Sequence, residues 1–431
     1  MLNRQKFKDL KSSDFLKSVL KLSGGTIFSQ LLTILLAPII SRLYSPSQFG
    51  EFALYNSIIS ITIIFSTLRY DLAIVIAKTK VIADSLIKIC IFLIILTFII
   101  GTIITLIYES YFVSSGRKTN SFIFLLPINL VIVSLIQVLN YTLNRSNNFS
   151  AIAFSKILQN IVNSSITISN GIWLKHNLGL IYANILSGFF SLLYLYYKAK
   201  NSYKANFNSL NGRILKKVAY HFRDFPLFSA PTSFLDTLSI SVPILFISSF
   251  FSGELTGQYS MAMRLLTIPT ILIGASISQV FFKKFSDSVN SGDSKKILIR
   301  TWSILAGIGV LPCLTIFFGG EVIFLFIFGK EWVIAGKIAS ILAIPILFTF
   351  VSSPTSTAFI VFRIQHLSFV FGFLGIILRP LAFYLGYLYN DLFLSLKAGA
   401  VVDILLIVIY NIIILNKSNK NVKTNLPEFS S

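Results

Sequence analysis

The sequence predicts an all-α integral membrane fold of about twelve transmembrane helices in two six-helix lobes, and three observations carry that prediction. Apolar segments close to the length that crosses a bilayer recur along all 431 residues. The composition is 55% hydrophobic and 12% charged, with a mean hydropathy of +0.79, whereas soluble domains are about a quarter charged. A ten-residue pattern also returns half a chain later at a constant offset. An ordinary soluble protein is excluded. Lys+Arg 37 against Asp+Glu 16 gives a formal charge of +21. Such an excess is expected where cytoplasmic loops hold basic residues beside anionic lipid, so nucleic acid is not implied.

Taken in order, the chain opens on a basic amphipathic lead-in at 1–17, where Arg4, Lys6, Lys8, Lys11 and Lys17 alternate with Asp9 and Asp14. It lacks a signal-peptide layout, because the apolar run that follows is long and has no clear small-x-small cleavage site. Spans are predicted near 18–41, 50–70, 82–108, 120–143, 152–174 and 178–197, an N-lobe over 18–197. A basic, Asn-rich connection at 198–225 reads as a flexible cytoplasmic linker between lobes. The C-lobe, 226–415, holds spans near 226–250, 256–282, 300–320, 334–360, 367–389 and 392–415, before a tail at 416–431. Boundaries are weakest at 300–360, where Gly319, Gly320, Gly329 and Gly336 interrupt the pattern.

Lysine and arginine in short loops stay on the cytoplasmic side. On this map the inner segments hold 26 of them and the outer segments 6, which places both termini inside. Cys90 and Cys313 fall within apolar runs and read as buried small hydrophobes, not as a disulfide framework.

The repeat pairs Leu43-Tyr44-Ser45-Pro46-Ser47-Gln48-Phe49-Gly50-Glu51-Phe52 with Phe250-Phe251-Ser252-Gly253-Glu254-Leu255-Thr256-Gly257-Gln258-Tyr259, at an offset of 207. In each copy a serine opens the turn and a glycine follows early in the next helix, where it allows close backbone approach or a φ that side chains avoid. Two parallel copies of six spans imply a pseudo-two-fold axis along the membrane normal with a cleft between the lobes.

Several motifs carry a family resemblance. They are Ser45-Pro46-Ser47-Gln48-Phe49-Gly50, Leu68-Arg69-Tyr70-Asp71-Leu72-Ala73-Ile74 and Asn140-Tyr141-Thr142-Leu143-Asn144-Arg145 in the first half. The second half adds Gly257-Gln258-Tyr259, Met263-Arg264-Leu265 with Pro269, and Phe328-Gly329-Lys330-Glu331-Trp332. Together they resemble the polysaccharide biosynthesis flippases, the Wzx-type O-antigen and capsule translocases of the superfamily (MOP) that also holds multidrug exporters (MATE) and the lipid II flippase. The resemblance covers essentially the whole chain. It implies a MATE- and lipid II flippase-like fold in the bacterial cytoplasmic membrane, and alternating-access movement of undecaprenyl-pyrophosphate-linked oligosaccharide. Lipid-linked oligosaccharide, membrane lipids and other polysaccharide-assembly proteins are the expected partners.

Such a cargo carries a charged diphosphate and many hydroxyls, and each unpaired polar group costs several kcal/mol in hydrocarbon. Cations at membrane depth are therefore the first candidates. Arg264 lies well inside the eighth span; its Arg-Leu-x-x-x-Pro setting resembles the lipid II flippase's eighth helix, where the matching arginine lines the central cavity. Arginine suits a diphosphate because its fork donates paired hydrogen bonds. Arg379 precedes Pro380 in the eleventh span, and Lys21 lies near the inner end of the first, where snorkelling also accounts for it. Asp236, Asp71 and Asp403 are candidate ion-coupling sites for a proton or sodium gradient, or counter-ions; for Asp236 the counter-ion role, toward Arg264, is favoured. Pro38, Pro231, Pro243, Pro269, Pro345 and Pro380 read either as hinges or as static kinks.

No cofactor is expected. His176, His221 and His366 lack metal-site spacing, and no phosphate-binding Gly-x-x-x-x-Gly-Lys-Ser/Thr loop occurs. A non-enzymatic flippase leads. Two other readings stay open: a drug exporter of the same superfamily, which predicts an acidic aromatic cavity, and a glycan polymerase or ligase, which needs a long outer loop.

Overall fold

A computed structural model describes residues 24–25, 27–114, 122–203, 211–274, 277–278, 281, 284–286, 288, 293–362 and 364–419. The lead-in 1–17, Lys21 and most of the tail lie outside them. The first half contains α1 (Ile27–Leu43), α2 (Pro46–Thr67), the short α3 (Tyr70–Ile76), α4 (Lys80–Ser114), α5 (Leu125–Arg145), α6 (Phe149–Ser169), α7 (Gly179–Ser202) and α8 (Gly212–His221). The second contains α9 (Ala230–Phe250), α10 (Gly253–Leu266), α11 (Ser294–Phe328), α12 (Val333–Ser352), α13 (Thr355–Val361), α14 (Gln365–Leu388) and α15 (Leu392–Asn419). Each predicted span overlaps at least one of these helices, that near 256–282 through α10 and that near 334–360 through both α12 and α13, and no strand occurs among the described residues. Nine of the described helices are long and apolar enough to cross a membrane.

The departures from that criterion have local causes. Gln159, Asn160, Asn163 and five serines make α6 too polar, yet neighbouring helices bond the amides of Asn160 and Asn163. Thr33 donates to Asn160 Oδ1 at 3.1 Å, and Asn163 donates to Ser187 Oγ at 3.4 Å. Hydrogen bonds of this kind let polar residues sit between helices in lipid. α10 is short because it ends at Leu266, two residues before the Ile268-Pro269 pair, and a π turn over Thr270–Gly274 follows. α4 and α11, the third span of each half, are both 35 residues long. At 1.5 Å per residue each is about 52 Å, well beyond a hydrocarbon core of about 30 Å.

The chain divides into two compact units, one of Met1–Tyr44 and Phe52–Thr237, the other of Ser45–Glu51 and Leu238–Ser431. In the first, Ala73, Ile74, Leu86, Cys90 and Val138 pack one core between α3, α4 and α5, while Tyr55, Phe122 and Ile181 fill another. Tyr44 is buried and donates to Thr167 O at 2.8 Å; burial pushes its phenol up to about 12, so the hydroxyl stays a donor. Arg145, at the last turn of α5, donates to the carbonyls of Ile74, Val75 and Ala77 and so closes the end of α3.

In the second unit, the two copies of the repeat meet each other. Ser45 and Gln48 form a capping box, with Ser45 N donating to Gln48 Oε1 at 2.9 Å, and Pro46 takes the first helical position of α2. In the other copy Ser252 Oγ caps α10 by accepting from Leu255 N at 3.1 Å. The first turn of α2 then crosses α10 at backbone distance. A Cβ on Gly50 would overlap the carbonyl of Gly253, and a Cβ on Gly257 would overlap the carbonyl of Pro46. Residue 46 and residue 253 are themselves equivalent under the offset of 207. The crossing is therefore nearly two-fold symmetric, and its glycines serve close approach, not a special φ.

Next to this crossing, the buried Gln258 amide donates to Glu331 O at 2.6 Å and accepts from Ala335 N at 2.8 Å. Phe49 packs edge-on against the buried Trp332 ring at 5.0 Å. The glycine-rich 300–360 region resolves on the same terms. α11 runs unbroken through Gly319 and Gly320, and Gly320 lies against Gly336 of α12, where a Cβ on Gly320 would sit 2.6 Å from Gly336 O. Only Gly329, at φ +102°, makes a turn.

Candidate functional site

Membrane-depth charge collects in two places, one in each unit. In the second unit Arg379 lies on α14 and Asp403 on α15, and Arg379 Nε donates to Asp403 Oδ1 at 2.6 Å. Arg379 Nη1 donates to Ser239 Oγ of α9. The arginine thus ties three helices at one level, and buried Tyr259 of α10 lies within electrostatic reach of the pair. The side chains are 27% and 33% exposed, so the pair is open to a small hydrophilic group as well as to its own partners. Asp403 and Arg379 thus form an ion pair.

Arg264, on the last turn of α10, is half-buried and has no hydrogen-bond or ion-pair partner among the described residues of its own unit. That is unusual. An arginine at the bilayer centre costs from about 2.5 to over 10 kcal/mol, and membrane proteins normally pair it or expose it to water. Of the cations predicted from sequence, Arg379 is ion-paired within its unit, Arg264 has no such partner among the described residues of that unit, and Lys21 lies outside the described residues.

In the first unit the chain between α2 and α3 passes through two left-handed residues, Leu68 at φ 46° and Arg69 at φ 64°. Bulky residues seldom adopt that conformation, and it persists only where surroundings hold it. Here it sends Arg69 toward the start of α9, where its Nε donates to Ser233 Oγ at 2.9 Å and Asp236 lies within electrostatic reach. In its own unit the arginine near Asp236 is therefore Arg69.

Asp71 is fully buried. Thr67 donates to its Oδ1 at 2.8 Å and Gln137 to its Oδ2 at 2.5 Å. Both donors are neutral, and Cys90 and Tyr141 lie nearby. Thr67, Gln137, Ser233 and Ser239 did not emerge from the sequence. Each is one of several uncharged polar residues in its helix, and only the fold shows which acid or arginine it serves. Gln137, eight residues before Arg145, was the most visible of them.

With this geometry in hand, similarity to known proteins becomes informative. A family model described as "Polysaccharide biosynthesis protein" matches residues 39–337. Among solved structures, the chain is similar to an inward-facing multidrug resistance MATE family transporter of the MOP superfamily, at 16% identity and TM-score 0.71, covering 95% of this chain and 96% of that one. It is similar to the lipid II flippase MurJ in an inward closed conformation, at 16% identity and TM-score 0.67, covering 92% and 89%. A MOP superfamily transporter from Pyrococcus furiosus, described as having a binding pocket of reverse polarity, matches at 17% identity and TM-score 0.62, over 95% and 97%. A comparison with curated proteins gives no match. The fold is thus that of the multi-pass transporters and flippases of this superfamily. The chain belongs to the polysaccharide biosynthesis protein family.

Proposed function

We propose that the protein is a flippase that moves undecaprenyl-pyrophosphate-linked oligosaccharide repeat units across the bacterial cytoplasmic membrane by alternating access. The family and the superfamily fold support a membrane flippase. The observation that carries the cargo is Arg264, an arginine at membrane depth with no ion-pair or hydrogen-bond partner among the described residues of its own unit. A diphosphate supplies what the guanidinium lacks, two anionic oxygens at the spacing of its fork. The hydroxyl-rich sugar requires a wet path, while the prenyl chain, apolar throughout, stays among the lipid tails. A cationic drug would find no complement in Arg264, which disfavours the multidrug reading for this chain. The Arg379–Asp403 pair, with its charge already balanced, fits a role in holding α14, α15 and α9 together while leaving polar edges open to sugar hydroxyls.

Arg264→Ala is expected to reduce export of surface polysaccharide at least tenfold at unchanged protein level, with Arg264→Lys recovering part of it, since a point charge replaces a fork. Surface glycan stained on cells and membrane levels by immunoblot decide the matter. Full export by the alanine variant would remove Arg264 from the mechanism.

A further inference from the structure

The connection at 198–225 is only partly the solvated linker that its composition suggests. Gly212–His221 forms α8, and its residues divide by face. Arg213, Lys216, Lys217 and Tyr220 are exposed and recur at the spacing of one helical face, with Arg223 exposed just beyond. On the other face Val218 is buried, and Ile214, Phe222 and Phe225 pack against the core of α3 and α4. Tyr70, the first residue of α3, donates its hydroxyl to Ala219 O at 3.1 Å and fixes α8 in place. The cations are thus presented by a seated helix.

They line a cleft of about 710 Å³ that includes Arg213, Lys216, Lys217 and Arg223, with the Arg223 guanidinium 4.4 Å above the Tyr220 ring. A second cleft, about 650 Å³, shares Lys217, Tyr220 and Arg223 and carries a carboxylate, Asp224. Leu227 and Phe228, immediately after, are also exposed. Cations on one side of a short amphipathic helix, beside exposed aromatic and aliphatic side chains, match the level of lipid headgroups. The excess of basic residues in this connection puts it on the cytoplasmic side. None of these features depends on the identity of the cargo.

We infer that α8 and Arg223 form a docking surface for the anionic phospholipid headgroups of the inner leaflet, with lipid phosphate held by Arg213, Lys216, Lys217 and Arg223. Each basic residue near an anionic surface strengthens binding roughly fivefold at low salt, and the effect falls within a Debye length.

The test uses the full chain in nanodiscs of phosphatidylcholine, with or without phosphatidylglycerol, and reads amide exchange over 211–224. Phosphatidylglycerol is expected to slow exchange there severalfold in the unaltered protein, and added salt to reverse it. In Arg213→Gln/Lys216→Gln/Lys217→Gln the lipid-dependent slowing disappears. In Lys216→Arg/Lys217→Arg it remains. Native mass spectrometry of detergent-purified protein with equal amounts of both lipids should show the preference for phosphatidylglycerol drop about tenfold or more in the glutamine variant. Equal slowing by both lipids would overturn the inference, as would an unchanged preference in the glutamine variant. Slowing by inorganic diphosphate but not by phosphatidylglycerol would overturn it too, because the cleft would then take a different phosphate.

Discussion

Gly257→Val is expected to destabilise the protein by roughly 3 kcal/mol or more, the upper end of what overpacking costs. The reason is the identity of the neighbour. The new Cβ would meet the backbone carbonyl of Pro46, and backbone cannot change rotamer to make room. Separating the helices would also pull Phe49 from Trp332 and disturb the buried Gln258 amide that holds Glu331 O and Ala335 N. Gly50→Val should behave alike, since its Cβ would meet Gly253 from the other side of the crossing. Gly253 supplies the control: a Cβ there has only Ser47 Oγ within reach, at 3.8 Å, so Gly253→Ala should change stability by about 1 kcal/mol or less, within the propensity scale of helical residues. Thermal unfolding of the detergent-purified variants orders them. Equal stability of Gly257→Val and the unaltered protein would show that the crossing is not tight.

The second large effect concerns Arg379. Arg379→Leu strands Asp403 at membrane depth, and an uncompensated charge there costs about 2.5–3.5 kcal/mol on insertion scales. Because both side chains are about one third exposed, about 2 kcal/mol is the expected loss. Asp403→Leu should cost a similar amount by stranding the arginine. The double variant Arg379→Leu/Asp403→Leu should regain most of the loss, because removing a pair also removes its desolvation penalty. A double variant no more stable than the worse single one would mean that the two groups do not act as a pair.

Most of the architecture was legible because its causes are local. Each predicted span rests on an apolar run of membrane length, and each overlaps a described helix, although the span near 256–282 is helical as α10 only to Leu266 and that near 334–360 divides into α12 and α13. Within 300–360 the glycines looked like breaks; the structure uses Gly320 and Gly336 as a contact between helices and only Gly329 as a turn. The repeat was visible as letters, but its purpose was not. That Gly50 and Gly257 touch each other is a tertiary fact, and no periodicity encodes it.

The site was less legible. Arg264, Arg379, Asp71, Asp236 and Asp403 stand out as charges in apolar surroundings, which costs enough to be informative. Their partners do not stand out, because Ser239, Thr67, Gln137 and Ser233 are cheap in any helix. Arg145 stands in the sequence as the last residue of the motif that begins at Asn140, and only the fold shows that its guanidinium caps α3. The connection at 198–225 looked featureless because Asn-rich letters surround α8, whose own apolar face is narrow.

Whether this chain carries diphosphate-linked glycan across a bilayer is tested most directly by reconstitution. Liposomes holding the purified protein and a fluorescent polyprenyl-diphosphate oligosaccharide would be treated with a membrane-impermeant quencher. The protected inner-leaflet fraction is expected to become quenchable in minutes with the unaltered protein and to stay protected with Arg264→Ala. Protection as lasting with the unaltered protein as in protein-free liposomes would contradict the flippase assignment.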